Sequence, residues 1–200
     1  MELNFSARIY AGGRRVVLVV GDTHIPERAW EIDEAILDFL RPRRYDVVVH
    51  TGDLVGEEVL DVVRGLGARY YVVQGNMDYL DLPEEEVFDV FGIKMGVIHG
   101  DQARPRGDIE KLTLIASRLG VSVLMSGHTH SPFIVFHPRG VLHVNPGSLT
   151  GVWGGGGGSM TPSFAEIEVY ESGVVVVKLY ELVQNRVVLR REEVFRFTVG

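Results

Sequence analysis

Hydrophobic positions along the first two thirds of the chain follow two alternating spacings. Residues 16–20, 46–50, 70–73 and 121–125 are short, mostly apolar and β-branched runs, the pattern of strands covered on both faces. Between them apolar residues recur every three or four positions. Ile32, Ala35, Ile36, Phe39 and Leu40 predict a helix over 29–40, stopped by Pro42, and Val59, Val62, Val63 and Leu66 predict a second with Gly65 and Gly67 as candidate stops. Ile109, Leu112, Ile115, Ala116 and Leu119 predict a third, closed by Gly120. Residues 87–91 and 93–98 read as a hairpin turned near Gly92. At the start of the chain Leu3, Phe5, Ala7 and Ile9 alternate with polar residues, the signature of a half-buried strand. Beyond residue 130 the pattern is β only, over 133–137, 141–144, 164–170, 174–182 and 187–198.

Strand and helix alternation followed by a β-only finish predicts an α/β fold with two β-sheets packed face to face and helices outside. Five consecutive glycines, Gly154 to Gly158, occupy a stretch (153–163) that resembles a linker. The strand patterns on both sides continue unchanged, so it is read as a flexible surface loop within one domain spanning 1–200. Residues 1–15 form an N-terminal strand extension, which pairs either with a C-terminal strand or with another chain; the second outcome would make a homo-oligomer.

Composition narrows the chemistry. A hydrophobic content of 46% in 200 residues suits a soluble domain with a core of its own. The net charge of −7 offers no positive field for a long nucleic-acid track, although a small phosphate ester held by metal stays compatible. With no cysteine, a metal would be bound by imidazole, carboxylate or amide oxygen. No signal-like segment opens the chain, and no apolar run approaches the roughly 20 residues that cross a bilayer. A cytoplasmic location without membrane contact is expected.

The last apolar run of the alternating region leads into Gly127-His128-Thr129-His130. Histidine pairs also occur as hydrogen-bonded surface residues, so this pair alone points only weakly to a metal. Four earlier runs, however, also end on metal-ligand residue types: Asp22 with His24, Asp53, Asn76 and His99. Side chains just past the carboxyl ends of parallel strands gather in one crevice, and the adjacent glycines allow the backbone to turn toward it. Seven ligands exceed what one tetrahedral ion takes and suit two ions sharing a carboxylate.

The ordered motifs Asp22-x-His24, Gly52-Asp53, Gly75-Asn76, His99 and Gly127-His128-x-His130, spread over 16–148, resemble the calcineurin-like metallophosphoesterase superfamily. The resemblance implies the four-layer α-β-β-α metallophosphoesterase sandwich. It also implies that Asp22, His24 and His130 bind a first metal, that Asn76, His99 and His128 bind a second, and that Asp53 bridges them. Asp53, Asn76 and His128 would then stand at the catalytic centre, and a hydroxide held between the ions would attack phosphorus in line. The cofactors implied are two divalent ions, with Mn2+ expected and Ni2+, Fe2+, Co2+ or Zn2+ compatible, because mixed imidazole and oxygen ligands select weakly. The short chain and the Gly-Asp-Thr-His-Ile-Pro opening are most similar to the small phosphodiesterase subgroup of bacteria and archaea, which implies a small phosphodiester as substrate. The retromer scaffold subunit of eukaryotes is also similar to that subgroup, so the alternative is a catalytically weak scaffold or interaction protein. The full ligand set favours the enzyme.

Two positions depart from the superfamily pattern. Many members carry a histidine directly after Gly-Asn, able to protonate the leaving oxygen, where this chain has Met77; the small subgroup also tends to lack it. Asp101 stands where the subgroup often has another histidine, and its role is open. Around the motifs, His50 either orients Asp53 or is a satisfied core histidine, and Asp78 either holds Asn76 or caps a turn. Asn145, Gly147 and Ser148 either resemble the loop that lines the site in this family or form an ordinary Asn-Pro-Gly turn. Arg104, Arg106 and Arg139 could meet a phosphate or be merely solvated, and His137 and His143 are expected to be structural.

Overall fold

The computed structural model describes residues 12–199. In chain order the strands are β1 (Arg14–Val20), β2 (Val47–His50), β3 (Tyr70–Val72), β4 (Glu85–Val90), β5 (Ile93–Ile98), β6 (Val123–Ser126), β7 (Phe133–His137), β8 (Val141–Asn145), β9 (Ser163–Tyr170), β10 (Val174–Val183) and β11 (Arg186–Arg196). The helices are α1 (Glu34–Leu40), α2 (Glu57–Leu66) and α3 (Ile109–Leu119). The predicted strand at 3–9 lies outside the described residues.

Two sheets carry the fold. The six-stranded sheet has the order β11-β10-β9-β1-β2-β3, with β1, β2 and β3 parallel and the rest antiparallel. In the five-stranded sheet, β4-β5-β6-β8-β7, the central β5, β6 and β8 are parallel. β1 shows why its sequence does not alternate. Val17 and Val19 face the other sheet, packing in one core with Val97, Val123, Met125 and Val144. Leu18 and Val20 face the opposite way, toward Ile36 and Leu40 of α1 and Val59 and Val63 of α2. From Val17 onward both faces are dry, so every position there is apolar. On the far side of the second sheet, Leu112 and Ala116 of α3 cover Ile98, Leu124 and Val141. The layers are therefore α, β, β, α, as expected from the sequence.

One predicted boundary moves. The helix expected over 29–40 begins at Glu34, because Asp33 caps it by accepting the backbone N–H of Ala35 at 2.9 Å. Residues 30 and 31 form a bend, and 29, 32 and 33 are irregular. In α3, Asp108 accepts from the Lys111 N–H at 3.1 Å and Gly120 ends the helix in the left-handed region.

His137 and His143 belong to the framework. His143 Nε2 lies 2.8 Å from Thr113 Oγ1, and His137 Nε2 lies 2.9 Å from Glu110. Burial lowers the pKa of His143 from 6.5 to about 4 and that of His50 to about 3. Both values lie below those of the unfolded chain, so the stability these residues contribute is complete above pH 6.5 and is lost as pH falls toward 4. The metal-free protein should accordingly melt at progressively lower temperature across that interval; a constant thermal midpoint would contradict the assignment.

Candidate metal centre

The carboxyl ends of β1, β2 and β3 in one sheet, and of β5 and β6 in the other, open onto a common seam. Backbone hydrogen bonds stitch the loops together there: Asp22 N–H to Gly52 O at 3.0 Å, His24 N–H to Asp53 O at 3.0 Å, and Gly127 N–H to His99 O at 2.8 Å. The seven candidate ligands come together as two overlapping groups. Asp22, His24, Asp53 and His130 form one, Asp53, His99 and His128 the other, each with ligand atoms within 4.8 Å of one another. Asn76 joins the second group, its Oδ1 3.1 Å from His99 Nε2. Asp53 belongs to both, for its Oδ2 is 3.4 Å from His24 Nε2 and 3.4 Å from His99 Nε2.

Hydrogen bonds on the far side of two of the rings decide what their inward nitrogens present. His99 Nδ1 donates to Thr51 O at 2.9 Å and His130 Nδ1 donates to Val152 O at 2.8 Å. In a neutral imidazole the other nitrogen then carries a lone pair. His99 Nε2 thus faces the carboxylate of Asp53, and His130 Nε2 faces Asp22 Oδ1 at 3.5 Å. Acceptor against acceptor is repulsive unless a cation lies between. Ligands bonded at about 2.1 Å to one ion lie roughly 3.0–3.4 Å apart in tetrahedral or octahedral geometry, close to the 3.1–3.5 Å separations here. The residues present therefore fit a divalent metal.

Electrostatics agree with that donor set. Burial, reinforced by the neighbouring Asp53, raises the Asp22 carboxyl well above its usual range, and burial likewise raises Asp53. The imidazoles are pushed the other way, mainly by burial: His24 to about 3, His128 and His130 to about 4. Carboxylates reluctant to ionise beside imidazoles reluctant to protonate leave the site short of positive charge.

The backbone geometry at the ligands is unusual. Asp22, His24, Asp53, His128 and His130 all have φ between 49° and 67°, a region that non-glycine residues enter at a cost on the order of 1 kcal/mol each. The expectation that adjacent glycines supply the turns is therefore corrected in part. Gly52 and Gly100 do have positive φ, but Gly21, Gly75 and Gly127 serve close approach. A Cβ at Gly75 would collide with Oδ1 and the backbone nitrogen of Asp53, and one at Gly127 would sit 2.9 Å from Asp22 Oδ2.

Supporting residues brace these turns. Asp78 accepts the N–H groups of Asp53, Val55 and Gly75 at 2.7–2.9 Å, holding the Asp53 loop and not the Asn76 side chain. His50 lies 3.3 Å from Thr23 Oγ1 and accepts from the Gly52 N–H at 3.2 Å, touching the two loops that carry Asp22, His24 and Asp53. Asn145 donates to Gly127 O at 2.8 Å and accepts the N–H of Gly147, while Ser148 Oγ donates to Asp22 O at 2.7 Å. These three residues are buried behind the ligand loops, where the sequence suggested that they line the site. Met77 contributes its backbone N–H, which binds Asp53 Oδ1 at 2.8 Å and leaves Oδ2 for the histidines.

Arg28 was not singled out in the sequence, nor was the contact of the glycine run with the site. Arg28, four residues past His24, donates to Trp153 O at 2.9 Å, and Arg106 donates to the adjacent Gly154 O. The glycine run follows directly. Gly154 and Gly158 pack so closely on His130 that a Cβ at either would lie within 3 Å of its side chain, whereas Gly155 to Gly157 are exposed. The nearest available signal was the position of this run shortly after Asn145-Pro146-Gly147-Ser148. Arg104, Arg106 and Asp101 share a cavity of about 440 Å3 with Asn76 and His128; Arg139 instead lies toward Glu110.

The profile of the calcineurin-like phosphoesterase superfamily domain matches residues 16–169. A protein of Methanocaldococcus jannaschii described as a probable metallophosphoesterase is 46% identical over 139 residues, which cover 70% of each chain. Among solved structures, wild-type Vps29 of Entamoeba histolytica complexed with Zn2+ is 35% identical, with a TM-score of 0.81 over 92% of this chain and 99% of that one. Vacuolar protein sorting 29 of Cryptosporidium parvum is 27% identical, with a TM-score of 0.86 over the same shares.

Proposed function

The chain belongs to the calcineurin-like phosphoesterase superfamily, and from that premise we propose that it is a phosphodiesterase working with two divalent metal ions. Asp22, His24 and His130 hold one ion, Asn76, His99 and His128 hold the other, and Asp53 bridges them. The observation that carries this reading is the position of Asp53 Oδ2, equidistant from a histidine of each group. When bound, the two ions supply a water acidified toward neutral pH and neutralise charge on the phosphate; Mn2+ is the expected activator. The chain's own part is orientation. Met77 N–H sets the Asp53 carboxylate, and Thr51 O and Val152 O hold His99 and His130 in the tautomers that point lone pairs inward.

Calorimetric titration with Mn2+ should give two ions per chain, with hydrolysis of bis(p-nitrophenyl) phosphate appearing on loading and vanishing with chelator. His128→Ala and His130→Ala should each lose one ion, with different residual affinities. Identical losses would undo the division, and inactivity of the wild type with every divalent ion tried would remove the enzyme reading.

Substrate preference follows from Met77. A thioether donates no proton, so leaving groups that depart as stable anions are favoured and alkoxides are slow. Met77→His should raise hydrolysis of alkyl phosphomonoesters relative to aryl diesters. An unchanged profile would count against the leaving-group argument.

A second reading, an interaction protein with little catalysis, is favoured by the fold likeness to Vps29 over nearly the whole chain. Metal-stimulated turnover separates the two.

A further inference from the structure

Three exposed arginines near the metal centre, Arg28, Arg104 and Arg106, form no ion pair among the described residues. In a chain of net charge −7, cations left without carboxylates at one place call for an explanation. Arg28 and Arg106 are partly engaged, each donating through one terminal nitrogen to a loop carbonyl. Their positions differ in one respect. Arg104 and Arg106 line the cavity that opens from Asn76 and His128, whereas Arg28 does not. The glycine run keeps the Arg106 guanidinium uncovered: a Cβ at Gly155 would lie 3.8 Å from its Nη2, and one at Gly156 3.7 Å from its Nη1. Any side chain there would begin to cover the guanidinium.

From this we infer a substrate class: the phosphodiester cleaved here carries a second phosphate group, bound by Arg104 and Arg106 in the cavity beside the scissile phosphate. The inference rests on the phosphodiesterase reading for which group is cleaved, but the anion site itself does not depend on cleavage. Arginine suits the task because its planar fork binds phosphate oxygens in pairs. The cavity, about 440 Å3, has room for a sugar bridging two phosphates. Asp101 shares the cavity and opposes an anion, so the site depends on both arginines. The field of Arg106 also reaches Asp22, His128 and His130, where it opposes positive charge on the histidines.

Binding is the test, because it separates the two readings. Calorimetry on the Mn2+-loaded protein compares thymidine 3′,5′-bisphosphate with thymidine 5′-monophosphate, which differ only in the second phosphate. The bisphosphate should bind about tenfold more tightly. R104Q and R106Q should each reduce that preference, R104Q/R106Q should abolish it, and R106K should keep part of it. R28Q, which removes the other bond to the loop but lies outside the cavity, should retain the preference. Equal affinity of the wild type for both nucleotides overturns the proposal, as does equal loss in R28Q, which would mean that the arginines act only by holding the loop. Paired rates with the p-nitrophenyl 5′-esters of the same two nucleotides then report on cleavage. Tight bisphosphate binding without hydrolysis would retain the anion site and reject the phosphodiesterase reading.

Discussion

Asp53→Ala should reduce Mn2+-stimulated hydrolysis of an aryl phosphodiester by about 1,000-fold or more and should weaken both metal sites together. Every other candidate ligand belongs to one group, but Asp53 Oδ2 is 3.4 Å from a histidine of each. Removing it leaves His24 and His99 without the shared carboxylate, so neither ion keeps its full set. Asp53→Asn guards against misfolding as the cause. Asparagine tolerates the φ of 57° at this position and can still accept the Met77 N–H through Oδ1. Its circular dichroism should match the wild type while activity falls. An Asp53→Ala protein that retains both ions and a tenth of the rate would refute the bridging role.

Gly75→Ala, a change that adds one methyl and alters no ligand, should cost about 100-fold in activity, the scale expected when reacting groups are misplaced by about 1 Å. The new Cβ would overlap Oδ1 and the backbone nitrogen of Asp53, and those atoms are held by Met77 and Asp78. The clash must therefore be relieved by moving the carboxylate or the loop. Gly65→Ala is the matched control. It lies within α2 with nothing inside 4 Å of the added methyl, and should stabilise the helix by up to about 1 kcal/mol. Similar activities for the two variants would refute the packing argument.

The fold was legible because burial on two faces leaves a direct trace in sequence. β1, β2 and β6 are buried along most of their length, so their runs lack alternation, and the helices between them keep a single apolar stripe. The start of α1 was misplaced because Ile32 fits the helical spacing although the Asp33 cap excludes it. It is buried by packing from the irregular segment that precedes the helix. At the site, the candidate ligands were legible from residue type at five strand ends. That they would meet across two different sheets was not legible, for His99 reaches Asp53 from the opposite sheet. The roles of Asp78, Asn145 and Ser148 were hidden for a different reason. Each acts on backbone atoms of distant loops, and a side chain that binds backbone imposes no residue type on its partner. Likewise, a run of glycines reads the same whether it is a tether or a surface fitted against an imidazole.

Residues with positive φ at Asp22, His24, Asp53, His128 and His130 place the centre under a selective tension. Glycine would relax the backbone at each position, and asparagine would suit most of them, so selection for thermal endurance alone would erase these candidate ligands one by one. Their joint presence keeps in the fold five left-handed turns whose strain a glycine would relieve.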